Sequence, residues 1–153
     1  MSDRKGITSD GIISDKTIKE ILENTDKVAV VGLSPKPDRD SNRVARYLMD
    51  KGYSVVPVNP GQKEILGERC YRSLEEIPFH VDLVNIFLNP VRIPPIVDQA
   101  IKIGTKVIWM QLDVIHEESA ERARSAGLQV IMDRCIKVEH ASLFNPVHNP
   151  VIP

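Results

Sequence analysis

The sequence predicts an α/β fold: a three-layer Rossmann-like sandwich with an open, mainly parallel five-stranded sheet. Three observations carry that expectation. Five short runs are apolar almost throughout instead of alternating, as strands buried between two helical layers require. Their starts recur every 22 to 28 residues, the spacing of βα units. Amphipathic stretches fill the intervals, and Gly52, Gly104 and Gly127 each stand just past one, where helices commonly end in a left-handed residue. Strands and helices alternating in this way, with right-handed crossovers, stack as helix, sheet and helix.

In chain order, residues 1–14 are expected to be a loose arm, with no sustained period through Ile12. Residues 15–24 read as a short helix, because Ile18, Ile21 and Leu22 fall at i, i+3, i+4 and Ser14 or Asp15 can cap its start. The first strand, residues 28–31, is the run Val-Ala-Val-Val and stops at Gly32. Residues 42–51 place Val44, Tyr47 and Leu48 on one helical face, and residues 54–58 form the second strand. Residues 60–79 are irregular, with Gly61, Gly67 and Pro78, and hold at most a helical turn at 73–77 capped by Ser73. A connection of that length in a tight domain usually faces a ligand or a subunit. The third strand covers 82–88, a helix 93–103, the fourth strand 106–110, a helix 116–126 and the fifth strand 128–132. The domain is expected to span 15–143. The tail, residues 144–153, has three prolines in ten residues and is not expected to be helical.

Composition narrows the function. The chain has 153 residues, enough for one core but not for two domains. Twenty Lys and Arg against 21 Asp and Glu give a net charge of −1, without the basic excess of a general nucleic-acid binder. Two cysteines, Cys70 and Cys135, make no disulfide framework, and His80, His116, His140 and His148 form no metal-ligand spacing. Asp113, His116, Glu117 and Glu118 read as a helix start. No apolar run approaches the roughly 20 residues of a membrane span, and no signal-peptide core is seen. A cytoplasmic protein is expected.

In a doubly wound sheet, ligands bind beyond the carboxyl ends of the strands. The loop after the first strand has one glycine, so neither a G-x-G-x-x-G dinucleotide fingerprint nor a Walker motif is present. It offers Gly32 for close backbone approach, Ser34 and Ser41 hydroxyls, the cations Lys36, Arg39 and Arg43, and the start of the next helix for a phosphate. The same residues also read as an N-cap and a solvated face, and both readings stand at this point. The second strand ends in Val58-Asn59-Pro60, without the carboxylate that NAD sites place about 20 residues past their glycines. A ribose carrying a 3′-phosphate suits this strand end better than a bare one.

The runs from Val30 to Arg39 (VVGLSPKPDR) and Ser41-x-Arg43-Val44-Ala45-x-Tyr47-Leu48 resemble the small stand-alone CoA-binding proteins. Those are single domains similar to the N-terminal CoA-binding domain of the succinyl-CoA synthetase α subunit. Val56-Pro57-Val58-Asn59-Pro60, Ile65-Leu66-Gly67-Glu68, Trp109-Met110-Gln111-Leu112 and the run from Met132 to His140 (MDRCIKVEH) continue the resemblance, which covers residues 27–143. It implies that Gly32, Leu33, Ser34 and Ser41 meet a pyrophosphate, with Arg43 within reach of its charge, and Lys36 is a further cofactor-binding candidate on the same loop. It further implies that Val58, Asn59 and Pro60 line the adenosine, that Phe87 and Leu88 cover the adenine or the start of the pantetheine, and that Met110 and Gln111 guide the arm onward. A side chain at Gly32 is accordingly expected to block the ligand and spare the fold. The chain departs from the pattern at Gln62, where the synthetase domain has lysine, and at Leu88-Asn89-Pro90-Val91, where a more basic stretch is expected. Lys63, Lys36 and Arg39 are the substitutes for a 3′-phosphate contact.

Cys135 and His140 are the candidates for acyl-CoA chemistry, as nucleophile and base. The alternative is a small buried cysteine and a packed histidine. The synthetase's phosphorylated histidine lies in a second domain outside the resemblance, so ligation by that route is not expected of this chain. The expected function is binding of coenzyme A or an acyl-CoA as a binding or regulatory module, alone, as a homo-oligomer or beside a separate catalytic chain. An NAD(P)-dependent oxidoreductase subunit and an acyl-CoA-processing enzyme are the alternatives.

Overall fold

The computed structural model describes residues 13–144. The expected loose arm and the Pro-rich tail fall outside them, except for Ile13, Ser14 and Phe144. Five helices, α1 (Asp15–Glu23), α2 (Asp40–Asp50), α3 (Ile93–Ile103), α4 (Glu117–Ser125) and α5 (Ile136–Phe144), enclose the sheet. Its strands are β1 (Lys27–Val31), β2 (Ser54–Val58), β5 (Leu83–Ile86), β6 (Val107–Met110) and β7 (Gln129–Ile131). A small hairpin of β3 (Glu64–Ile65) and β4 (Glu68–Arg69) stands apart. All sheet neighbours are parallel, in the order β2-β1-β5-β6-β7. The chain moves outward from β1 to β2, then reverses across β1 to β5, so the order switches between β1 and β5.

Alternate residues of each strand supply two separate cores, which accounts for the continuous apolar runs. Ala29, Val31, Val56, Val58, Val84, Ile86, Ile108, Met110 and Val130 face Ile93, Val97 and Ala100 of α3 and Ala120 and Ala123 of α4. Val28, Val30, Val55, Leu83, Val107, Trp109 and Ile131 face α1, α2 and Ile136 of α5. Trp109 is fully buried, and its indole N–H donates to the Arg134 carbonyl at 2.8 Å. That bond removes the penalty of burying a donor and ties β6 to the segment leading into α5. Ser14 caps α1 by accepting from the Thr17 N–H, and His116 caps α4 through Nδ1, which accepts from the Ser119 N–H at 3.2 Å. Gly52, Gly104 and Gly127 are left-handed as the sequence requires.

Three features differ from the sequence expectation. The irregular stretch contains the β3–β4 hairpin, turned by Leu66 (φ 56°) and Gly67 (φ 79°), two positive-φ residues as in a type I′ turn. Leucine is not a turn signal, so the hairpin left no trace in the pattern. After it, Tyr71 bridges the outer edge of β2, donating its N–H to the Pro57 carbonyl at 3.0 Å and accepting from the Asn59 N–H at 2.9 Å. Pro57 tolerates this edge because its peptide faces outward, where β1 requires no donor. The third difference is α5, which the sequence reading leaves without an element. Its apolar residues follow no clean stripe, since Val138 is exposed while Ile136 and His140 are buried. Among the described residues no helix is long and apolar enough to cross a membrane.

His140 fastens α5. Its Nδ1 lies 2.8 Å from the Tyr47 hydroxyl, its ring stacks on Phe144 at 4.6 Å, and Tyr53 meets it edge-on at 5.7 Å. Burial, reinforced by the charge of Lys51, holds the imidazole below the ordinary histidine range. The unfolded chain therefore takes up this proton first, so the stability contributed above about pH 6.5 is lost as pH falls through the lowered folded value. Denaturation of the parent and His140→Gln between pH 8 and pH 5 checks this. The parent should lose more stability on acidification than the variant, and equal slopes would show that His140 does not titrate against folding.

Candidate functional site

The site grows from the point where β1 ends. Gly32 continues the strand by donating its N–H to the Val58 carbonyl at 3.0 Å, while the Phe87 N–H donates to the Val31 carbonyl at 2.9 Å. Residue 32 is thus clamped between β2 and β5 with φ at +86°. A Cβ built there would stand 2.2 Å from the Phe87 carbonyl oxygen and 3.0 Å from a Leu88 methyl. The close approach that Gly32 permits is therefore to the protein's own backbone. This corrects the expectation that a side chain at Gly32 leaves the fold intact.

Past Gly32 the loop is held from below and behind. Leu33 is fully buried, and its carbonyl accepts from the Asn59 side-chain amide at 2.9 Å. The Ser34 N–H donates to Ser41 Oγ at 3.0 Å, and the Ser34 carbonyl accepts from Asn42 Nδ2 at 2.8 Å. Ser34 Oγ in turn accepts from the Lys36 N–H at 3.1 Å. Arg46 completes the frame, donating from Nε to Asn42 Oδ1 and from Nη2 to the Pro37 carbonyl. Ser41 is not the N-cap of α2. That position belongs to Arg39, and the helix starts at Asp40, two residues earlier than the periodicity suggests. Ser41 and Asn42 are buried in its first turn because their side chains serve the loop.

Beside this loop, at the switch between β1 and β5, lies a cleft of about 410 Å³. Val31, Gly32, Val58, Asn59 and Pro60 form one wall, Phe87 and Leu88 the next, and Arg72, Ser73, Arg92, Ile96 and Gln99 close the third side. Asn59 has no spare amide group: Nδ2 is given to Leu33, and Oδ1 accepts from the Gly61 N–H at 2.8 Å. Gln99 Oε1 accepts from the Leu74 N–H at 3.2 Å, fixing the turn that carries Ser73. Arg72 and Arg92 sit exposed at the rim and make no ion pair among the described residues. Several other arginines are neutralised: Arg43 by Asp40 at 2.7 Å, Arg122 by Asp98 at 2.8 Å and Arg134 by Glu139 at 3.2 Å.

The structure thus brings Gly32, Val58, Asn59, Pro60, Phe87 and Leu88 together at one cleft. It places Leu33 beneath the loop, Ser34 and Lys36 on it, and Ser41 behind it. Arg43 points to Asp40. Met110 is fully buried in the core, and Gln111, 3% exposed, donates from Nε2 to Asn85 Oδ1 at 2.7 Å. Cys135 and His140 lie across the sheet among the residues packed on α1 and α2, and neither lines the cleft. Among the described residues no three His, Cys, Asp or Glu side chains gather as a metal site.

Sequence reasoning missed Arg72, Ser73, Arg92, Ile96 and Gln99. Arg92 had a signal, since it ends the 3-10 turn Pro90–Arg92 directly after the stretch where basic residues seemed to be missing. Arg72 had none, because only the bridge at Tyr71 carries it to β2.

Comparison with known proteins adds an independent line. The family described as "CoA binding domain" matches residues 26–141. The uncharacterised protein YneT of Bacillus subtilis is 41% identical over 128 residues, covering 84% of this chain and 95% of its own length. A solved hypothetical protein from Pyrococcus horikoshii superposes with a TM-score of 0.84 at 44% identity, covering 86% of this chain and 92% of that one. The alpha subunit of ADP-forming acetate–CoA ligase I from Pyrococcus furiosus is 28% identical over 128 residues, and this chain spans only 28% of its length.

Two glycine substitutions test the clamp. Gly67→Ala, with φ at +79° and nothing within 4 Å of its Cβ, should cost about 1 kcal/mol for the left-handed backbone alone. Gly32→Ala adds a collision with backbone and should cost at least about 2 kcal/mol more. Equal losses in urea denaturation would mean that the strand ends yield freely.

Proposed function

Because the chain belongs to the CoA-binding domain family, we propose that it binds coenzyme A, or an acyl-CoA, in the cleft at the ends of β1, β2 and β5, as a binding or regulatory module. The observation that carries the proposal is the composition of that cleft. One wall, through Gly32, leads into a backbone loop held by hydrogen bonds of Asn59, Ser41, Asn42, Ser34 and Arg46. The other side holds two arginines with no carboxylate to neutralise them. Between them Val31, Val58, Leu88 and Ile96 supply an apolar floor. A ligand with a flat base, a pyrophosphate and a thin apolar arm matches those three surfaces. The exposed guanidinium groups suit phosphate because their planar donors can engage two oxygens at once. The Asp40 and Ser41 N–H groups of the first turn of α2 add a favourable potential for an anion on the loop side.

Two features favour CoA over a nicotinamide dinucleotide. The end of β2 presents Asn59 instead of a carboxylate, and its amide is fully engaged in holding the loop. The loop itself closes on Gly32 alone, with Ser34 and Pro37 where a dinucleotide fingerprint places further glycine. No reaction is assigned. His140 is buried and engaged with Tyr47 on the far face of the sheet, so it does not stand beside this cleft as a base. A separate catalytic chain is a natural partner, since a longer ligase subunit shares this domain over 28% of its length.

Thermal unfolding with added ligands tests the proposal. CoA at a hundredfold excess over Kd should stabilise the fold by about 2.7 kcal/mol and raise Tm by roughly 5–10 °C. NAD and NADP should leave it unchanged, and Arg92→Ala should weaken CoA binding about tenfold. A shift with NAD and none with CoA would overturn the reading.

A further inference from the structure

Five large apolar side chains are exposed among the described residues, and three of them follow the ends of the adjacent strands β5 and β6: Val91 (81%), Leu112 (60%) and Ile115 (43%). Helices α3 and α4 begin directly after them and pack together, with Arg122 of α4 bonded to Asp98 and to the Pro94 carbonyl of α3. The turn that presents Leu112 and Ile115 is fixed from several sides. The Val114 N–H donates to the Gln111 carbonyl at 2.8 Å, the Asp113 N–H donates to Asp133 Oδ1 at 2.7 Å, and His116 caps α4. The core beneath takes Val114 and leaves its two larger neighbours outside. A rim of one sign surrounds them. Asp113, Glu117, Glu118 and Asp133 are exposed and make no ion pair among the described residues. The arginines that follow in the chain are engaged elsewhere: Arg122 with Asp98, Arg124 with Glu121 and Arg134 with Glu139.

Apolar side chains gathered on a surface and rimmed by polar groups mark a contact site. Because this turn is already rigid, ordering it on contact costs little. The rim then selects the partner by sign. Four carboxylates repel a nucleic-acid backbone and an anionic lipid surface alike. A second copy meeting the same patch across a two-fold axis would set those carboxylates against each other. We propose that this turn docks a different protein, one whose contact face carries lysine or arginine around an apolar depression. Leu112 and Ile115 fill the depression, and Asp113, Glu117, Glu118 and Asp133 meet the basic residues about it. Docking here is independent of what the cleft binds. It nevertheless seats the partner at the cleft's own end of the sheet, where Val91 adjoins Arg92 of the cleft wall.

Photo-crosslinking in the native cells tests the proposal, with benzoylphenylalanine placed at position 115 and, as a control, at position 138, an exposed apolar site on α5. The captured protein is identified by mass spectrometry and purified. It is then titrated against the parent, Leu112→Ser/Ile115→Ser and Asp113→Asn/Glu117→Gln/Glu118→Gln/Asp133→Asn. Position 115 should capture a protein that position 138 does not, and that protein, once purified, should bind the parent. The serine variant should bind it at least about tenfold more weakly. The neutralised variant should associate more slowly, at a rate that has lost most of its salt dependence. Asparagine keeps the acceptor at residue 133 and tolerates the left-handed backbone at 113 and 133 (φ 69° and 63°), so both variants should melt with the parent. Capture of a second copy, of nucleic acid or of nothing at position 115 overturns the proposal, as does the same capture at position 138. A purified partner whose binding is insensitive to either variant also overturns it.

Discussion

The Phe87 carbonyl oxygen occupies the space that a side chain at residue 32 would need, and most of the cleft follows from that contact. With glycine there, β1 stays hydrogen-bonded to β2 and β5 up to its last residue and the chain can still turn away at once. Leu33 then drops into the core, and its carbonyl is left facing Asn59. The loop cannot rise above the sheet, so the space over the switch point stays open. Ser41, Asn42 and Arg46 hold the loop's far side, which commits the first turn of α2 to the same structure. A single backbone approach thus links three strands, one loop and one helix.

Charge pairing differs between the arginines at the cleft and those packed around α4 and α5. Four cations on and beside α3, α4 and α5 meet carboxylates: Lys102 with Glu75, Arg122 with Asp98, Arg124 with Glu121 and Arg134 with Glu139. Around the ends of β2 and β5, Arg72 and Arg92 do not, and they face an apolar floor instead. Exposed pairs contribute little to stability, so leaving these residues unpaired costs the fold little. It does leave two positive charges beside the cleft, an arrangement that favours an anion there. A net charge of −1 for the whole chain conceals this local imbalance.

The fold was legible because burial on both faces leaves a direct mark: Val28 to Val31 and Leu83 to Ile86 have no polar face to alternate with, apart from Asn85. Half of the cleft was legible for the same reason, since strand ends are known once strands are known. What stayed hidden depends on contacts between distant segments. Arg72 reaches the cleft only through the Tyr71 bridge to β2, and that bridge depends on a hairpin turned at Leu66. Ser41 looked like a cap because serine before an apolar period usually is one, but its hydroxyl is taken by Ser34 seven residues earlier. Met110 ends β6 and Gln111 follows it, yet both stay inside, Met110 in the core and Gln111 bonded to Asn85. Helix α5 went unread because its buried anchor is His140, a residue that carries no weight in a hydrophobic pattern.

The central claim is that one end of the sheet, at the switch between β1 and β5, is the ligand site. Titration of isotope-labelled protein with CoA, followed by backbone amide chemical shifts, measures this most directly. The account predicts saturable changes at Gly32, Leu33 and Ser34, at Asn59 and Gly61, at Arg72 and Ser73, and at Phe87 and Leu88, with little change in α1. The sheet's opposite end holds another hollow, of about 320 Å³, lined by Thr17, Glu20, Asp82 and Lys106. Shifts gathered there, with Gly32 and Arg72 unmoved, would contradict the account.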